Sequence, residues 1–366
     1  MTERTDIMKI KRIISALIST AMAISLLSLV PARVSAATDA SGTGWSFTAA
    51  DGKLSFNRGY MGKELTKGII DGLDGNIWGP EFQFADVKII DTGESAITSI
   101  GKNAFYECDN LTTINFPKVT SIGENTFDSC TRLTTINLPE VTNIDFKAFN
   151  YCIALKTINL PEVTNIGEEA FHDCYDLTTI NLPKAANIGR GAFSYCIKLT
   201  TVTLPAAKII GYGAFSHCNT ITIADLPNVT SVGSSAFYEC KNLNTVDLPN
   251  ASDIGSDAFY KCENLKTVTL PNATNIGAFA FRRCKELNTV TLPKVTNIGG
   301  LAFLDCGKLT TVSLPSATNI GSTAFGRCGL ITALDLPKAA SIDGSVFVDC
   351  KCLQSITFGK LTPPSI

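Results

Sequence analysis

The stretch Leu155-Lys-Thr-Ile-Asn-Leu-Pro-Glu-Val-Thr-Asn-Ile-Gly-Glu-Glu-Ala-Phe-His-Asp-Cys174 is followed at once by a near copy, Leu177-Thr-Thr-Ile-Asn-Leu-Pro-Lys-Ala-Ala-Asn-Ile-Gly-Arg-Gly-Ala-Phe-Ser-Tyr-Cys196. Working outward, cysteines stand at 108, 130, 152 and on to 350 at a constant interval of 22 residues, without insertion or deletion. Phenylalanines keep the same register from Phe105 to Phe347, and prolines from Pro117 to Pro337. Three such columns define a repeat array of twelve units covering Ile97 to Lys360.

Each column has a physical role. In the segment Thr157-Ile-Asn159 side chains alternate, so Ile158 and then Leu160 face a core while Thr157 and Asn159 face outward. Proline next in line lacks an N–H and ends the strand. Val or Ala and then Ile supply a second inward pair, and Ala, Phe and Cys complete the interior on one short turn. The position after Ile is Gly in ten units and Asp in two, Asp145 and Asp343. That choice predicts a left-handed corner, at which Gly233→Asn is tolerated and Gly233→Val is not. One unit cannot close a core alone, but stacked copies at about 4.8 Å per strand make a continuous one.

The unit L-x-x-[IV]-x-L-P-x-[VA]-x-x-I-G-x-x-A-F-x-x-C resembles the BspA-like leucine-rich repeats of bacterial surface proteins. The resemblance implies a leucine-rich-repeat solenoid with a concave parallel β-sheet and short strands or one-turn helices on the convex side. It also implies a secreted or surface-attached protein acting in adhesion and host binding, and it carries no catalytic residues.

Outside the array, Lys9, Lys11 and Arg12 precede an apolar run from Ile13 to Val30 and the small-residue tripeptide Val34-Ser-Ala36. This is the pattern of a signal peptide, residues 1–36, cleaved near Ala36; a retained membrane helix is the alternative. Residues 37–96 read as an N-terminal β-rich cap. Within it Trp45-Ser-Phe-Thr48 and Lys53-Leu-Ser-Phe56 flank Ala49-Ala-Asp-Gly52 as a hairpin, and Val87-Lys-Ile-Ile90 reads as a further strand. Residues 361–366 form a short C-terminal tail.

With 45% apolar and 17% charged residues and a net charge of -2, the chain is neither disordered nor a basic nucleic-acid binder. Its two histidines, His172 and His217, lie 45 residues apart without an acidic partner at motif spacing, which argues against zinc binding and histidine catalysis. Asp71-Gly-Leu-Asp-Gly-Asn76 does not fit a calcium loop and reads as a Gly-rich turn. No cofactor, metal or small-molecule substrate is expected. Twelve cysteines in one column read as buried free thiols rather than disulfides, whereas Cys352 occupies a polar column and should be exposed. Asn110, Asn228, Asn250 and Asn272 begin glycosylation sequons that repetition explains.

The expected role is therefore non-enzymatic binding of a protein or glycoprotein, from a host matrix or a cell envelope. The alternative is a spacer or targeting module of a larger protein. Two surfaces compete for the ligand. Tyr106, Tyr151, Tyr175, Tyr195, Tyr238 and Tyr260 fall in the variable segment after Phe, beside Arg282, Arg283 and Arg327, and offer low-entropy anchors along one edge. The concave face offers Thr113, Asn115, Thr135, Asn137, Thr157, Asn159, Thr179 and Asn181, polar and without an aromatic platform.

Overall fold

From Ile97 the chain turns once every 22 residues, and successive turns are joined along three ladders. The computed structural model describes residues 40–42, 45–48, 50–56, 64–65, 87–93, 95–339, 342 and 344–359, all within one compact unit, Thr38–Ile366. The signal segment 1–36, the turn at Asp71–Asn76, Asp343 and the tail 361–366 lie outside the described residues.

The first ladder consists of three-residue strands such as Thr157–Asn159 and Thr179–Asn181, paired parallel with Ile158 opposite Ile180. Their burial alternates as the sequence predicts: Ile158 is buried between exposed Thr157 and Asn159. The second ladder consists of two-residue strands such as Asn165–Ile166 and runs unbroken from Glu64–Leu65 to Asn319–Ile320. The first is interrupted along its length, its strands grouping into shorter sheets. Between the ladders Leu155, Ile158, Leu160, Val163, Ile166, Ala170, Phe171 and Cys174 close one layer of core, each no more than 2% exposed. The twelve phenylalanines stack face to face from Phe105 to Phe347, ring centroids 5.1 to 5.8 Å apart and planes within 17°. Stacked aromatic pairs of this kind contribute beyond the burial of each ring.

The third ladder replaces the expected one-turn helices, for no helix occurs among the described residues. Here alternate N–H groups are shared between units. Asn125, Phe127 and Ser129 donate to the carbonyls of Phe146, Ala148 and Asn150 in the next unit, at 2.8 to 2.9 Å. Asp128 and Cys130 instead donate back three residues within their own turn. An α-helix would aim all of these N–H groups along its own axis and leave the neighbouring unit without partners. The alternation requires two left-handed residues per turn, and non-glycine side chains fill most of those places, as at Asn125 (φ 50°), Ser129 (φ 64°) and Tyr151 (φ 58°).

The left-handed corner therefore lies elsewhere than the Gly column. Gly233 has no positive φ; what excludes a side chain is space, because a Cβ there would lie 2.7 Å from the carbonyl carbon of Gly211 and 2.8 Å from Ile210 O and Tyr212 N. The glycines let successive backbones approach, which is a different demand from turn geometry and one Asn does not meet either.

The cysteine column is buried and unbridged from Cys108 to Cys328, Cys350 is half-buried and Cys352 exposed. From Cys130 onward each thiol donates to the carbonyl of the phenylalanine in the preceding unit at 3.0 to 3.3 Å. The sequon asparagines Asn228, Asn250 and Asn272 likewise donate to proline carbonyls one unit back, each at 2.7 Å. At the N-terminal edge Trp45–Thr48 and Lys53–Phe56 form an antiparallel hairpin around Gly52 (φ 66°), and its second strand pairs parallel with Ile89–Asp91. The hairpin thus occupies the open edge of the first ladder.

Candidate functional site

The turn of the third ladder carries the variable residues outward, and the 22-residue period sorts them into columns. Tyr106, Tyr238, Tyr260 and Arg282 share the column just after Phe. Tyr151, Tyr195, Arg283 and Arg327 share the next, which is left-handed throughout. Tyr175 lies two residues further on, beyond Cys.

These columns converge into an aromatic stripe across successive units. His172 lies 5.6 Å from Tyr195, Tyr195 stacks on His217 at 4.5 Å, His217 meets Tyr238 at 5.4 Å, and Tyr238 stacks on Tyr260 at 4.9 Å. The Arg282 guanidinium closes the run 5.7 Å over Tyr260 and 5.5 Å over Phe279. Of the tyrosines expected to share an edge, Tyr195, Tyr238 and Tyr260 are thus brought together with Arg282. Tyr151 and Tyr175 form their own edge-to-face pair at 6.0 Å. Tyr106 belongs to the first unit, 44% exposed, far along the array from Tyr238. Arg283 and Arg327 turn to Asp305, at 3.7 and 3.4 Å.

The stripe is electrostatically knit. Burial alone would raise the Glu239 carboxyl, but the Lys261 ammonium at 2.6 Å, with His217 and Lys241 each at 3.8 Å, holds it below the ordinary carboxylate value. Burial and then the Glu239 charge push the Tyr238 hydroxyl up, and burial with Asp173 does the same to Tyr175.

Beside the stripe lies an open notch of about 320 Å³, and both histidines of the chain border it. It exists because two successive units place Gly191 and Gly213 where others carry side chains, with Ser194 and Ser216 three residues on. Tyr212, 56% exposed, stands at its rim with the Arg190 guanidinium 5.7 Å from its ring. Reading the chain linearly separates His172 from His217, yet 45 residues is two periods plus one, which puts them on adjacent columns two units apart. Position modulo 22 was the signal for this grouping, and it would have added Tyr212, Glu169 and Arg190 as well.

The rival strand face is polar and self-satisfied. Asn137 donates to Asn115 at 2.5 Å, Asn181 to Asn159 at 2.6 Å, and Asn115 to Asp91 at 2.9 Å, so its amides serve one another along the ladder. Thr113, Thr135, Thr157 and Thr179 stand two residues before these asparagines on the same strands. Among the described residues no group of three or more His, Cys, Asp or Glu is placed to hold a metal, and no helix is long and apolar enough to cross a membrane.

A family model for BspA-type leucine-rich-repeat regions matches residues 81–199, 164–273 and 252–363. Among solved structures, a leucine-rich cell surface protein from Faecalibacterium prausnitzii is 22% identical, with 88% of this chain and 94% of that one covered and a TM-score of 0.39. The pneumococcal vaccine antigen PcpA is 17% identical over 90% of each chain, with a TM-score of 0.46. A leucine-rich-repeat protein of T. pallidum is 20% identical, covering 70% of this chain and 90% of that one, with a TM-score of 0.32. No curated protein matches the chain.

Proposed function

Because the chain belongs to the BspA-type leucine-rich-repeat family, whose arrays are recognition scaffolds, we propose that it is an exported, non-enzymatic adhesion protein that binds a protein or glycoprotein through its aromatic stripe. The observation that carries this reading is the continuous contact His172, Tyr195, His217, Tyr238, Tyr260 and Arg282. Tyrosine and arginine already held by their neighbours lose little freedom on docking and bury large area, the combination found at interface hot spots. The strand face, with its amides mutually bonded, offers less.

Export rests on the sequence of residues 1–36, with its basic start, apolar run and Val34-Ser-Ala36 exit. Cleavage there leaves 26 basic and 31 acidic side chains, a net charge of -5, in a protein that meets its ligand outside the cytoplasm.

The test is retention of the mature chain, residues 37–366, on immobilised matrix proteins, mucins and envelope glycoproteins. Substituting Tyr195, Tyr238 and Tyr260 together by Ser is expected to reduce retention at least tenfold with the circular dichroism unchanged. Loss instead on substituting Thr157, Asn159 and Asn181 moves the ligand to the strand face. Retention on none of the surfaces returns the array to a spacer role.

A further inference from the structure

We propose that the notch around Gly191 and Gly213 is a subsite for a neutral pyranose, the terminal sugar of a glycan; the proposal rests on the turn face being the recognition surface. The glycines are the first reason. They sit in a left-handed column, φ 58° and 60°, but the backbone does not demand glycine there. Asn125, Lys147, Glu169, Asp257, Phe279 and Thr323 take the same conformation in other units with φ between 50° and 60°. A Cβ at Gly213 would meet nothing closer than Ser216 Cβ at 3.9 Å. Gly213 therefore lacks a side chain where one would fit, a Cβ at Gly191 would press on Glu169 Cγ at 3.3 Å, and the absence of both leaves a recess of about 320 Å³, at the lower end of the range for ligand pockets.

The lining is the second reason. A pyranose presents a patch of C–H groups on one face and hydroxyls around its rim, so it requires an aromatic surface beside planar polar groups. Tyr212 supplies an exposed ring, steadied by Arg190 against one face. Glu169, His172 and the Ser216 hydroxyl supply acceptors and donors around the recess. His172 Nδ1 lies 3.0 Å from Asp173 Oδ2, a contact that orients the ring.

Charge decides between a neutral sugar and an anion. Arg190 is paired with Glu168 at 3.1 Å, Glu169 with Lys147 at 3.2 Å, and Glu239 with Lys261 at 2.6 Å. Glu239 also faces Lys241 at 3.8 Å and Asp173 lies beside His172, so four cations around the recess, Arg190, Lys147, Lys261 and Lys241, stand against four carboxylates, Glu168, Glu169, Glu239 and Asp173. Phosphate, sulfate or a sialic acid would find no net positive field.

The proposal is tested by saturation-transfer NMR on the intact mature chain. The probes are the methyl glycosides of glucose, galactose, mannose and N-acetylglucosamine, with the methyl glycoside of N-acetylneuraminic acid as the acidic arm. Transfer to the C–H protons of a neutral glycoside is expected, at an affinity on the order of millimolar for one small ring. Tyr212→Ala and Gly213→Phe should each reduce it at least tenfold. Gly213→Phe fills the recess in a conformation that Phe279 already adopts at φ 60°, so its fold is retained. Silence from every neutral glycoside, transfer that survives both variants, or preference for the acidic sugar would overturn the subsite. If glycosides are silent while mucin or matrix protein is still retained through Tyr195, Tyr238 and Tyr260, only the sugar assignment fails and the stripe stands.

Discussion

At the scale of single residues, conformation and space make separate demands that a sequence does not distinguish. A glycine column reads equally as positive φ or as close approach, and the two predict different substitutions. At Gly233 the demand is space, so Gly233→Ala, the smallest addition, is expected to lose about 1 to 3 kcal/mol as an overpacked site. Gly233→Asn and Gly233→Val should lose at least as much, which thermal unfolding of the three variants checks. A destabilised Val variant beside an unaffected Asn variant would restore the left-handed reading. The true left-handed places were hidden because Lys147, Glu169, Phe279 and Leu301 occupy them, residues that carry no turn signal. Their conformation is maintained at a cost of about 1 to 2 kcal/mol each by the ladder bonds to the next unit, which only exist once that unit is in place.

At the scale of the element, the strands of the first ladder, their inward and outward faces and the hairpin at Gly52 were legible, because alternation and punctuation are local properties, whereas the short strands Ala40–Gly42 and Glu64–Leu65 carried no such signal. The third ladder was not. Its bonds join residues 21 apart, and no local pattern tells such a turn from one turn of helix. The stripe was legible in part, since Tyr195, Tyr238 and Tyr260 stand near one column, whereas the histidines emerge as its members only when distance is counted in units. The phenylalanine stack is the element that couples unit to unit. Phe215, fully buried between Phe193 and Phe237 at 5.4 and 5.3 Å, is the place to test this coupling. Phe215→Ala should destabilise by about 3 to 5 kcal/mol. Because contacts in an array are nearest-neighbour, it should also divide one denaturant transition into two, a result read by circular dichroism. A single transition with an unchanged midpoint would show that the rings contribute little beyond filling.

At the scale of the whole molecule, the thiol column makes stability a function of alkaline pH. Burial raises the thiol of Cys130, Cys152, Cys174, Cys196, Cys240, Cys262, Cys284 and Cys306 above the ordinary value, the Cys306 thiol and then burial do so for Cys328, and burial brings Cys350 to about 11. A folded-state pKa above the unfolded one, about 8.5, gives stability that is complete below that pH and is lost as pH rises, by about 1.4 kcal/mol per pH unit for each thiol. The buried thiols all act in the same direction, so the loss per pH unit is several-fold steeper than for one thiol once the unfolded thiols are ionised. The denaturation midpoint should therefore be flat from about pH 6 to 8 and fall steeply above 9, and Cys174→Ala should shave one thiol's worth from the slope. A midpoint level to pH 10.5 would contradict the burial of the column. The uninterrupted 22-residue register has a consequence of another kind. Excising one whole period anywhere in the array joins two ends whose neighbours above and below are the same columns, so every ladder reseals with one rung fewer. Array length is then a quantity that unequal recombination in the gene can change in whole steps without passing through a misfolded product. The stretch from Glu169 to Tyr238, where the notch was built by small residues in particular units, is the part such drift would erase, and selection on the ligand would be what holds it.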